Sequence, residues 1–179
     1  MKTRAECIKE YGSDYLINQM VNAGKLFRID KGVFSETKSV PDLAVITFKH
    51  PSAVVTMDTA FYLYEFTDEI PDLYSLATKR EAAPINDQRV KQVFIPKDLL
   101  NIGKTTIDYK GYTIPIFDRE RMLIELVRYK SKIPYNYYKE ILNNYRSILP
   151  QLNPEKIRDY AEAMPKKDMV IRTIRTEVY

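Results

Sequence analysis

Three of the chain's five glycines fall within its first 35 residues, at Gly12, Gly24 and Gly32. They cut this stretch into short pieces of different character. "KTRAECIKE" over 2–10 suits a helix, with Ala5 and Ile8 on one face and Lys and Glu filling the rest. Tyr11-Gly12 stops it, and Ser13 or Asp14 is placed to cap a second helix over 14–23. That helix carries Leu16, Ile17, Met20 and Val21 as one apolar stripe, which leaves Tyr15, Asn18, Gln19 and Asn22 on the opposite face. Gly24 closes it, and "GKLFRIDKGVF" follows at once. Lys25–Ile29 and Val33–Ser35 read as strands around an Asp30-Lys31-Gly32 loop. Two helices joined by a short turn and followed by a hairpin are the element order of a winged helix-turn-helix.

The remainder mixes helix and strand. Residues 42–49 and 56–66 read as helices, and "LYSLATKR", "VKQVFIP", "TTIDY" and "YTIPIF" as strands. Asp118 can cap "RERMLIELVRY", Pro134 starts "YNYYKEILNNYRSI", and Asn153-Pro154 marks another helix start. "MVIRTIRTEV" repeats its apolar residues at helical spacing. The expected fold class is α+β. A truncated winged helix-turn-helix over 1–39 precedes an α+β domain over 40–179, with a small, mostly antiparallel sheet and C-terminal helices.

Charge is unevenly distributed. Residues 1–40 hold seven Lys/Arg against five Asp/Glu, 41–118 eight against eleven, and 119–179 thirteen against eight. Basic ends around an acidic middle point to nucleic-acid contact at one or both ends. The single cysteine, Cys7, excludes an internal disulfide and any zinc site needing two thiolates. No signal peptide is legible, so a cytoplasmic location is expected. No apolar run approaches the roughly 20 residues of a membrane span.

Enzymatic signals are weak. "GKTT" at 103–106 resembles the end of a phosphate-binding loop, but Asp98 stands where that loop needs glycine, so it reads as a turn entering a strand. His50, the only histidine, has no nucleophile motif beside it and reads as a helix-end or loop residue. Asp68, Glu69 and Asp72 surround Pro71 as solvated loop charge. No catalytic residue, metal site or cofactor is expected.

The polar face of the second helix is where a helix-turn-helix presents side chains to base edges, and Asn and Gln pair with adenine there. Lys25, Arg28 and Lys31 on the hairpin are suited to phosphate. "SDYLINQMVNAGKLFRIDKGVF" resembles the recognition helix and wing of AbiEi-type antitoxins, the regulator half of type IV toxin–antitoxin modules. "DLAVITFKHPSAVVTMDTAFYLYEF" is similar to that family's following helix pair, and "PIFDRERMLIELVRYK" to its Glu-Arg helix start, here Glu120 and Arg121. The tail from Leu152 resembles its two closing helices. The wing pattern G-x-L-x-R-I-x-x-G-V-[YF] is the most specific part.

The resemblance implies a DNA-binding autorepressor of an abortive phage infection operon that neutralises a nucleotidyltransferase-type toxin. Its partners would be double-stranded operator DNA and that toxin. By position, Ser13, Tyr15, Asn18, Gln19 and Asn22 would read bases. The family carries a helix ahead of residue 2 for which the sequence given holds no residues. The alternative expectation is a protein-interaction module without DNA binding, using the basic tail at Lys166, Lys167, Arg172 and Arg175.

Overall fold

In the computed structural model, which describes residues 1–178, the chain begins as a strand rather than a helix. β1 (Lys2–Thr3) is followed by α1 (Arg4–Tyr11), α2 (Asp14–Asn22), β2 (Phe27–Asp30) and β3 (Val33–Ser35). β3 is central, in the order β1-β3-β2, and pairs antiparallel on both sides; Lys2 lies opposite Phe34 and Thr3 opposite Val33. The helix expected from residue 2 is corrected by Thr3. Its hydroxyl accepts from the Glu6 N–H at 3.2 Å, and the Glu6 carboxylate accepts from the Thr3 N–H at 2.7 Å. This reciprocal capping box needs an extended Thr3, so the helix starts at Arg4, two residues later than expected.

Ser13 caps α2 as expected, its Oγ accepting from the Leu16 N–H at 3.3 Å. The exit of α2 is a Schellman motif. Lys25 N–H donates back to the Met20 carbonyl and Gly24 N–H to that of Val21, both at 3.0 Å, with Gly24 at φ +68°. Lys25 thus belongs to the helix exit, and the strand expected from Lys25 begins at Phe27. Cys7, Ile17, Leu26 and Phe34 form the core beneath these elements.

Next comes α3 (Asp42–Lys49), with five successive residues buried from Leu43 to Thr47, and His50 at its C-terminal cap. Residues 40–51, read from sequence as part of the second domain, group with the first. One unit is Met1–Pro51 with Asp108–Ile114; the other is Ser52–Ile107 with the described residues from Pro115 on. Within the first unit Lys49 Nζ meets Asp30 at 3.0 Å and Thr37 Oγ1 lies 3.2 Å from Tyr112 Oη. Tyr179, the last residue of the expected second domain, lies outside the described residues.

The rest of the chain runs β4 (Val54–Val55), α4 (Met57–Leu63), β5 (Tyr74–Lys79), β6 (Val90–Ile95), α5 (Lys97–Leu100), β7 (Lys104–Tyr109) and β8 (Tyr112–Phe117). Four helices follow: α6 (Arg119–Tyr129), α7 (Tyr135–Ser147), α8 (Pro154–Ala163) and α9 (Lys167–Thr173), the last continuing as a π-helical turn over Ile174–Val178. The strands form one sheet in the order β6-β5-β4-β8-β7. The α+β class stands, but this sheet, expected to be mostly antiparallel, is mixed. β4 is antiparallel to β5, whereas β4–β8 and β5–β6 are parallel. A crossover over 80–89 replaces a hairpin between β5 and β6. Gln92 staples it, accepting from the Ile85 N–H at 2.7 Å and donating to the Ala83 carbonyl at 3.2 Å. Among the described residues no helix is long and apolar enough to cross a membrane.

Asp118 and Asn153 cap α6 and α8 as expected. α6 buries charge: Arg121 is 0% exposed. It donates to Glu125 at 3.0 and 2.8 Å and to the carbonyls of Leu99 and Ile102 at 2.9 and 3.0 Å. A Cβ added at Gly103, which has φ +70°, would fall 2.5 Å from Arg121 Cβ. Arg121→Ala is expected to lower unfolding free energy by about 3–5 kcal/mol, the usual cost of breaking a buried ion pair. Urea denaturation measures it, and an unmoved midpoint would show the network to be dispensable. Gly103→Ala should lower the melting temperature too, because the φ and the close approach are both unfavourable to a side chain.

Candidate nucleic-acid interface

α2 and the β2–β3 hairpin converge on one surface of the first unit. Tyr15, Asn18, Gln19 and Asn22 are all exposed, as the helical spacing predicts. Gln19 Nε2 donates to Tyr15 Oη at 2.9 Å, one turn apart. From β2, Arg28 Nη2 donates to Asn18 Oδ1 at 3.3 Å while its guanidinium lies 5.5 Å from the centre of the Phe34 ring. This side-chain bridge ties hairpin to helix. Lys25 and Lys31 are exposed, and the Lys31 N–H donates to the Asp30 carboxylate at the hairpin turn.

Between α2 and the hairpin lies a cleft of about 300 Å³ lined by Arg4, Asp14, Ile17, Asn18, Arg28, Lys31, Gly32 and Phe34. Arg4 grips Asp14 through two contacts, Nε to Oδ1 at 2.9 Å and Nη2 to Oδ2. Hydrogen bonding to that carboxylate raises the Arg4 pKa above its ordinary value. Among the described residues Lys25, Arg28 and Lys31 have no carboxylate partner of their own. The surface therefore offers uncompensated positive charge beside exposed amides. Such a pairing can bind phosphate through the cations and base edges through the amides.

Ser13, which the resemblance places among the base-reading residues, is half-buried, and its Oγ serves as the expected α2 cap. One sequence expectation is revised here. Leu16, expected on the buried stripe, is 41% exposed, whereas Ile17 is 2% exposed. Leu16 lies over Gly12, its Cδ1 3.6 Å from the place a Cβ would occupy. The Arg4–Asp14 ion pair at the cleft was not anticipated from sequence, where Asp14 figured only as a possible cap. The Thr3-x-x-Glu6 capping pattern was the signal that could have placed Arg4 at a helix start.

In the second unit Lys166, Lys167, Arg172 and Arg175 are all exposed. Only Arg172 and Arg175 come together, lining a cleft of about 330 Å³ with Asp168, Ile171 and Thr176. A larger cleft of about 610 Å³ takes Glu69 and Asp72 into its lining but not Asp68. Among the described residues no cluster of His, Cys, Asp and Glu is arranged to hold a metal ion. Compared with known protein families and with curated proteins, the chain matches none.

Ser13→Ala should destabilise the first unit by about 1 kcal/mol, the typical value of an N-cap. Thermal denaturation checks this, and an unchanged melting temperature would mean that the Leu16 N–H finds another acceptor.

Proposed function

We propose that this chain is a DNA-binding antitoxin and autorepressor of the AbiEi type, without catalytic activity, acting in the cytoplasm in a type IV toxin–antitoxin operon. The first unit is read as a winged helix, with α2 as recognition helix and the hairpin as wing. The observation that carries this reading is the arrangement of the first 35 residues. A strand, two helices and a hairpin build a sheet in the order β1-β3-β2, and the hairpin's Arg28 is joined to the polar face of α2. Base contacts fall to Tyr15, Asn18, Gln19 and Asn22, and phosphate contacts to Lys25, Arg28 and Lys31. The antitoxin role rests on the sequence resemblance, which runs through most of the chain. It assigns a nucleotidyltransferase-type toxin, encoded by the adjacent gene, as functional partner in phage defence.

Gel shifts with the DNA upstream of the gene test the first part. Arg28→Ala with Lys31→Ala should weaken binding and lower the slope of log affinity against log salt by about two, one for each lost phosphate contact. Binding indistinguishable from the parent would rule out the wing. Co-expression tests the second part: growth should recover when this chain accompanies the neighbouring protein, and persistent toxicity would sink the antitoxin role.

The cleft between Arg172 and Arg175 favours a second reading, a protein-interaction module that docks the neighbouring protein through its C-terminal helices. A one-to-one complex lost in Arg172→Glu with Arg175→Glu, together with no shift of any DNA, would select it over the first.

A further inference from the structure

The first unit exposes two large hydrophobic side chains among its described residues, Tyr15 at 69% and Leu16 at 41%. Both belong to the first turn of α2. Leu16 stands three residues before Gln19, so the two share a side of the helix, and Tyr15 is held along the axis by its bond from Gln19 at 2.9 Å. Exposed cations Lys25, Arg28 and Lys31 lie on the adjoining hairpin and helix exit. Solvent gives an exposed leucine nothing, and along the helix Leu16 neighbours the Gln19 carboxamide.

A duplex major groove matches each of these groups. Adenine offers N7 and the N6 amino group to a carboxamide, thymine offers its C5 methyl to an apolar side chain, and phosphates flank both. Gln19 keeps its Oε1 and one N–H free for such a pairing, since its bond to Tyr15 uses a single N–H. We propose that Leu16, with Tyr15 beside it, reads thymine methyl groups, so that the DNA recognised by α2 contains A·T pairs at the step these residues contact. This rests on the DNA-binding reading above and adds a specificity determinant that the helical periodicity had assigned to the core.

The test begins with selection of binding sites by the full chain from a pool of random duplexes. Each thymine of the selected site is then replaced in turn by deoxyuridine, which removes the methyl and leaves the pairing intact. Parent protein should lose affinity by about fourfold at one or two positions, the factor that corresponds to one buried methyl group. Leu16→Ala, at an exposed position, should bind the thymine and uracil duplexes alike. If the parent ignores uracil at every position, or Leu16→Ala keeps the preference for thymine, Leu16 does not read methyl groups, although DNA binding stands. If the pool yields no retained duplex even at low salt, the DNA-binding reading falls and takes this assignment with it.

Discussion

Arg121 holds its charge where no water reaches it. Burial works against the guanidinium, and the Glu125 carboxylate and two backbone carbonyls oppose that cost. Its partners come from α5, from the turn before β7 and from α6, and its face lies 4.5 Å from the centre of the Phe117 ring at the end of β8. One planar group with five donors thus ties together α5, the turn before β7 and α6, alongside the bond from the Asp118 N–H to the Gly103 carbonyl at 2.7 Å. Glu120 acts similarly, accepting from the Asn153 N–H at 2.9 Å and so fixing the start of α8. α6 explains its odd composition in this way: a charge-rich sequence is buried because its charges serve as cross-links.

The first unit solves a different problem. Beneath its three strands and first two helices, the buried side chains of Cys7, Ile17, Leu26 and Phe34 make one small cluster, which needs help from its margins. Help comes from Lys2, whose ammonium meets Glu10 at 2.7 Å and Glu36 at 2.9 Å, pinning β1 against α1 and the residue after β3. Arg4–Asp14 joins the two helices, and Arg28–Asn18 joins helix to hairpin. Polar contacts at the rim set the angles that such a core cannot dictate alone.

Much of this was legible in the sequence where the signal is local. Ser13, Asp118 and Asn153 cap the helices they were expected to cap, and four of the five strands of the larger sheet match the β-rich runs, β7 starting one residue ahead of its run. Pairing partners were not legible. "VKQVFI" reads the same whether its neighbour is parallel or antiparallel, and the 80–89 crossover is what sets the parallel pairing. Two-residue strands such as β1 and β4 carry no periodicity at all. At the candidate site, the polar face of α2 followed from helical spacing, whereas the exposure of Leu16 did not. Helical spacing gives the direction of a side chain and not which tertiary neighbours cover it.

The Schellman exit of α2 bears on how this surface can evolve. Lys25 and Leu26 both donate to the Met20 carbonyl, at 3.0 and 3.3 Å, so the helix passes into the first strand of the hairpin through a joint with no slack. An inserted residue anywhere between Met20 and Leu26 would rotate Asn18 away from Arg28 and lift Leu26 out of the core in the same stroke. At the Lys31-Gly32 tip an insertion would only lengthen the loop. Variation in length should therefore accumulate at the tip, leaving the helix-to-strand joint invariant in spacing even as the side chains around it change.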